Sequence, residues 1–195
     1  MKAFSERYEA ALALAAGAHQ GQTRKAGGEP YIVHVVHVSV ILLRHGFSED
    51  VAIAGLLHDV VEDQGIALSC IQSNFGPAVA EMVQALSERK TEGGETRPWE
   101  ARKRELLAQL RAAGPQTAAI KAADTLHNAR RTAADLRREG PRLWRLFSRG
   151  PQQSLWYYEN VVVIVREHLG AHPLAEELAA AVQDLERAIA ESSGA

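Results

Sequence analysis

Apolar residues recur every three to four positions along almost the whole chain, the spacing that lines one face of an α-helix. Phe4, Tyr8, Leu12, Ala15 and His19 mark a first amphipathic helix whose last inward residue is polar. Gly21 and the run Gly27-Gly28-Glu29-Pro30 then break helix and leave Arg24 and Lys25 on an irregular segment. Tyr31 to His45 reads as a second helix with His34, Val38, Ile41 and Leu42 inward, stopped by Gly46. Ser48, followed by Glu49 and Asp50, predicts a third helix that runs through His58 and Asp59 and ends at Gln64-Gly65.

A short helix up to Phe75-Gly76 follows, and Pro77 opens another with Val79, Met82, Val83 and Leu86 inward. Residues 88–97 are polar, contain glycine and lack periodicity, which predicts a mobile loop, either a cover for a pocket or a solvated connector. Helix resumes from Trp99 to Leu110 and closes at Gly114-Pro115; the next helix carries Ile120, Ala123, Asp124, His127, Asn128 and Arg131 on one face. After Gly140-Pro141, Leu143, Leu146 and Phe147 suggest a short helix. Trp156 to Leu169 reads as a longer one despite the β-branched run from Val161 to Val165, with a buried strand as the alternative. Pro173 starts a final helix with Leu174, Leu178, Val182, Leu185 and Ile189 inward, and Glu191 to Ala195 are expected to fray. The expectation is an all-α, single-domain helical bundle over residues 1–195, with its chemistry in about 4–138 and further helices in about 141–190.

Composition narrows the function classes. A chain of 195 residues can bury one substantial core but not two comfortable ones, and 46% hydrophobic with 24% charged residues is ordinary for a globular protein. The formal net charge of -2 gives no general reason to expect nucleic-acid or membrane-surface binding, so any basic phosphate site must be local. One cysteine, Cys70, excludes an internal disulfide, no apolar run approaches a membrane span, and the N-terminus lacks a signal-peptide pattern. These features read as cytoplasmic.

The chemistry gathers around Leu56-Leu57-His58-Asp59-Val60-Val61-Glu62-Asp63. On a continuous helix His58, Asp59, Glu62 and Asp63 share one sector while Leu57, Val60 and Val61 enter the core. An adjacent His-Asp pair suits one divalent ion, which offsets the cost of desolvating both groups. Two ligands are too few, and His34 and Asp124 are the candidates to complete the set. Two imidazoles and two carboxylates without thiolate suit a hard-to-borderline ion with open positions, such as Mn²⁺, Mg²⁺ or Fe²⁺, better than a closed structural zinc, with Zn²⁺ kept as a further alternative. Glu62 and Asp63, not needed as ligands, are then available as catalytic acid and base.

The ordered set Ala18-His19-Gln20-Gly21-Gln22-Thr23-Arg24-Lys25, Pro30-Tyr31-Ile32-Val33-His34, His58-Asp59-Val60-Val61-Glu62-Asp63 and Asp124-Thr125-Leu126-His127-Asn128 resembles the hydrolase domain of the RelA/SpoT-type alarmone enzymes, a branch of the HD-domain phosphohydrolases, and most of all its small stand-alone members. The resemblance implies a nucleotide substrate, with Arg24 stacking on the base, Lys25 near base or phosphate, and Asn128 at ribose or phosphate. Arg24, Lys25 and Lys121, with Arg130 as a further cation, are expected to neutralise phosphate charge. The implied reaction is removal of the 3′-pyrophosphate of (p)ppGpp to leave GDP or GTP. Three positions depart from the family pattern: Val35 and Gln64, where proline and threonine are usual, and Arg131 in place of threonine, a cation either for another phosphate pattern or for solvent. Gln64, Thr125 and Arg131 keep open a different phosphorylated nucleotide, such as NADPH or an adenine alarmone, and a non-catalytic nucleotide sensor is the third reading, disfavoured by the intact Glu62 and Asp63. A homo-oligomer also stays open.

Overall fold

Ser5 opens the ordered path of the chain by accepting the Tyr8 N–H on its side-chain oxygen at 3.0 Å, the N-cap of the first helix. The computed structural model describes residues 5–193, so Phe4, expected on this helix, lies outside the described residues. From there the chain runs through α1 (Glu6–Ala18), α2 (Ile32–Arg44), α3 (Glu49–Leu57), α4 (Val60–Gln64), α5 (Leu68–Phe75) and α6 (Pro77–Leu86). A small ribbon of β1 (Thr91–Glu92) and β2 (Glu95–Thr96) precedes α7 (Trp99–Ala112) and α8 (Pro115–Glu139). A 3-10 segment, Gly140–Leu146, leads to α9 (Pro151–Leu169) and α10 (Pro173–Ser193). The all-α reading holds, the exceptions among the described residues being that ribbon and an isolated antiparallel bridge between Thr23 and Pro30.

Four of these helices, α6, α8, α9 and α10, begin on proline, where the missing N–H would have had no partner in the helix anyway. The centre is α8, whose buried side combines Ile120, Leu126 and Leu136 with Ala118, Ala119, Ala122, Ala123, Ala129 and Ala133. Alanines let neighbouring axes come close, and α2, α3, α6, α9 and α10 all pack on it. The β-branched run in α9 is helical because Val161, Ile164 and Val165 are buried in this packing, and burial outweighs their modest helix penalty. In the 3-10 segment only Leu143 is buried, while Leu146 is 50% exposed. No described helix is long and apolar enough to cross a membrane.

Three expectations need correction. The third helix does not run through the His-Asp pair: α3 ends at Leu57, His58 and Asp59 form a turn, and α4 restarts at Val60. Residues 88–97 are not structureless, because Thr91 pairs with Thr96 and Glu92 with Glu95 across Gly93-Gly94. Both glycines have positive φ, 59° and 86°, the backbone that a two-residue hairpin turn of the right twist requires. Helix α10 continues through Ser193 instead of fraying from Glu191.

Candidate active site

The break after α3 turns His58 and Asp59 toward one point. His58 donates from Nδ1 to the Gly55 carbonyl at 2.9 Å, which leaves Nε2 facing Asp59 Oδ2 at 3.0 Å. His34 in the first turn of α2 brings its own Nε2 within 3.3 Å of Asp124 Oδ1 and 3.9 Å of Asp59 Oδ2. His58 Nε2 lies 3.9 Å from Asp124 Oδ1. Ligand atoms of His34, His58 and Asp59 all sit within 4.8 Å of one another. The structure therefore gathers all four residues that the sequence singled out as a ligand set.

Those residues pass a test of fit for a metal ion. Both Nε2 atoms are buried and neither has a hydrogen-bond partner, an arrangement that costs ~1–3 kcal/mol per group unless something else satisfies it. Ligand bonds of ~2.1 Å in an octahedral sphere put neighbouring ligand atoms ~3 Å apart and opposite ones ~4.2 Å apart. The separations of 3.0, 3.3, 3.9 and 3.9 Å fall in that interval.

Charge at the site is set by close pairs that outweigh burial. Burial disfavours charge on Asp124, yet the Lys121 ammonium, 2.8 Å from Oδ2, holds its carboxyl well below the usual range. Burial likewise opposes a charged His58, but the Asp59 carboxylate pushes it up to about 9. His34 moves the other way, its ring kept neutral chiefly by burial. Lys121 is itself buried and raised well above the ordinary lysine value, mainly because Asp124 outweighs its desolvation.

Hydrogen bonds from neighbouring residues fix the ligand groups. Tyr31 donates its hydroxyl to Asp59 Oδ2 at 2.6 Å, and burial together with that carboxylate keeps the phenol protonated far above its ordinary range. Asn128 donates to Asp124 Oδ1 at 2.6 Å while its own Oδ1 accepts from Arg24 at 2.7 Å. His127 reaches His34, Nδ1 to Nδ1, at 2.9 Å, and His37 on its far side at 2.9 Å. Sequence reading missed Tyr31, although it stands three residues before His34 and so shares its face.

Glu62 and Asp63 part company. Asp63 lines a cavity of about 600 Å³, whereas Glu62 is not among its lining residues. Glu62 accepts the Glu88 N–H at 2.9 Å, and Lys90 at the base of the ribbon spans both carboxylates, 3.0 Å from Glu62 Oε1 and 2.8 Å from Asp63 Oδ1. Gln64, the departure from threonine, donates to Gln22, which in turn donates to Asp63 at 3.2 Å. Lys90 carried no local signal in the sequence, since its partners lie 27 and 28 residues earlier.

Arg24 and Lys25 line the same cavity, with Lys121, Asp124, Asn128, Tyr157 and Tyr158. Their segment is a small hairpin closed by a Thr23–Pro30 bridge and by Arg24 N–H to the Glu29 carbonyl at 2.9 Å. Arg131 fastens it, pairing with Glu29 and donating to Asp135 at 3.0 Å. Its guanidinium is thus already paired with two carboxylates where it lines the cavity. Arg130 is corrected too: it points outward and pairs with Glu177 of α10 at 2.7 Å.

Known proteins are similar to this chain in sequence and in fold. The chain is 38% identical over 132 residues to a GTP pyrophosphokinase of Streptomyces coelicolor, covering 67% of this chain and 15% of that one. It is 32% identical over 174 residues to the bifunctional (p)ppGpp synthase/hydrolase SpoT of Escherichia coli, covering 89% of this chain and 23% of that one. The chain thus spans less than a quarter of these relatives' length. A solved structure described as a metazoan ortholog of SpoT that hydrolyses ppGpp superposes with a TM-score of 0.78 at 28% identity, over 97% of this chain and 99% of that one. The profile of the HD domain matches residues 11–149, a span that holds all four clustered ligand-type residues, and this chain belongs to the HD-domain family, with SpoT-type proteins among its relatives.

Proposed function

We propose that this protein is a metal-dependent hydrolase that removes the 3′-pyrophosphate of (p)ppGpp, leaving GDP or GTP. One observation carries the reading: two buried, unpartnered imidazole nitrogens and two carboxylates converge beside a cavity walled by Arg24, Lys25 and Asn128. His34, His58, Asp59 and Asp124 hold the ion in this reading, and Mn²⁺ suits the mixed nitrogen and oxygen donors. A divalent ion bound there supplies Lewis acidity toward water and phosphoryl oxygen.

The chain's own residues do the rest. Arg24 and Lys25 attract the nucleotide's phosphates, with Arg24 held in place by Asn128. Asp63, at the cavity wall, orients the attacking water and takes one of its protons as the new oxygen–phosphorus bond forms. The bond from that phosphorus to the ribose 3′-oxygen breaks, and the leaving oxygen needs a proton in return. Glu62, coupled to Asp63 through Lys90, completes this acid-base pair. Lys121 supports Asp124 by holding its second oxygen and meets the substrate only from the cavity floor. The reading treats residues 1–195 as a single domain, since α9 and α10 pack on the helix that carries Asp124, and it takes the protein to act in the cytoplasm.

A different phosphorylated nucleotide is the second reading, resting on Gln64, Thr125 and Arg131, of which Arg131 is already paired with Glu29 and Asp135. The test is incubation of Mn²⁺-loaded protein with ppGpp and with NADPH. Pyrophosphate from ppGpp is the expected product; orthophosphate from NADPH alone, or binding without turnover, overturns the proposal. Glu62→Gln should lower kcat by ~100-fold or more, as loss of a general acid or base does.

A further inference from the structure

Three histidines form a line from the surface to the candidate metal centre. His37 is exposed on α2; His127 on α8 is half-buried; His34 is buried at 1% exposure. His37 Nδ1 meets His127 Nε2 at 2.9 Å, and His127 Nδ1 meets His34 Nδ1 at 2.9 Å. Neither contact is explained by packing alone, because two imidazole nitrogens at hydrogen-bond distance must hold one proton between them.

We propose that His127 is a positioning residue that fixes the tautomer and ring orientation of His34, with His37 as the outer acceptor that fixes His127. The inference rests on the assignment of His34 as a metal ligand. A neutral His34 that offers the Nε2 lone pair to a cation carries its only N–H at Nδ1. That N–H must be donated, and the atom facing it is His127 Nδ1, which therefore has no proton. The proton of His127 is then on Nε2 and is donated to His37 Nδ1, so the His37 N–H lies at Nε2, toward solvent. Only one arrangement of protons satisfies both contacts and leaves the ligand lone pair free. His58 obeys the same rule with a backbone partner, its Nδ1 committed to Gly55 and its Nε2 left for the centre.

Residues that hold the far nitrogen of a ligand histidine typically contribute 10–100-fold to metal affinity. The proposal predicts that His127→Leu weakens Mn²⁺ binding by ~10–100-fold, measured by competition with a chelator. His127→Asn places a carbonyl oxygen near the position of Nδ1 and should recover most of the affinity. A merely structural role would lower the melting temperature of both variants without separating them. In the metal-free protein, nitrogen-15 NMR of the imidazoles should report Nδ1–H for His34 and Nε2–H for His127 and His37, and a mixed His34 tautomer in His127→Leu. Wild-type protein that binds Mn²⁺ while His127→Leu binds it equally well overturns the inference and spares the metal site. Wild-type protein that binds no divalent ion overturns both, and an Nε2–H tautomer for His34 overturns the inference directly.

Discussion

Adding one methyl group at Gly55 should expose how tightly the fold holds the site. Gly55 lies in the last turn of α3, and a Cβ built there falls 2.6 Å from Leu42 Cδ1 and 3.4 Å from Val38 Cγ1. The first distance is about 1 Å short of comfortable carbon–carbon contact. Leu42 is fully buried, so it cannot swing into solvent to make room. Two effects compete in Gly55→Ala: alanine is the better helix former by ~1 kcal/mol, and overpacking a filled core costs ~1–3 kcal/mol. Overpacking wins, and a net loss of ~1 kcal/mol lowers the melting temperature by ~2–4 °C in a chain of this size. Leu42→Val alone should cost ~1 kcal/mol for the lost methylene. In the double variant the valine leaves space for the new methyl, so the two losses should cancel in part and give a coupling energy of ~1–2 kcal/mol. Urea and thermal unfolding followed by circular dichroism would measure all four corners of the cycle. If Gly55→Ala stabilised the protein by the full helix-propensity gain, or if the cycle were additive to within ~0.5 kcal/mol, the close contact between α2 and α3 would be wrong.

Further predictions concern the site. Tyr31→Phe removes the hydroxyl that Asp59 accepts and keeps the ring, so Mn²⁺ affinity should fall by ~10-fold in calorimetric titration; an unchanged affinity refutes that hydrogen bond's role. Because Asp59 raises His58 to about 9, the proton on His58 must leave before Nε2 can ligate. Metal affinity should therefore decline as pH drops below 9, approaching about tenfold per unit, and level off above it; a flat profile from neutrality upward contradicts the assignment. Arg131→Thr cuts the fastening to Glu29, and trypsin should cleave after Lys25 faster than in wild-type protein while the melting temperature hardly moves.

Much of this architecture was legible because helices write their inward face into the sequence at a fixed period. His34, His58, Asp59 and Asp124 stood out as polar residues on otherwise apolar faces, and the structure brings them together. What stayed hidden depended on contacts between distant segments. Lys90 meets Glu62 and Asp63 only because a glycine-glycine turn folds the 91–96 ribbon back, and that turn was visible in Thr-Glu-Gly-Gly-Glu-Thr but went unread beside the stronger helical pattern. Arg131 looked like a free cation because its partner Glu29 is 102 residues away. The break at His58 was obscured since apolar periodicity continues across it, and a two-residue turn whose backbone stays in the right-handed helical region leaves no mark on that period.

The interruption between α3 and α4 has a consequence for anyone borrowing this centre. On an unbroken helix, neighbouring side chains diverge by roughly 100°, which would aim an imidazole and the following carboxylate at different surroundings. Here the two residues form the turn between α3 and α4, and their Nε2 and Oδ2 atoms lie 3.0 Å apart. Grafting the dipeptide into a designed scaffold would therefore transfer the letters without the geometry, unless the turn and the glycine carbonyl that holds His58 travelled along.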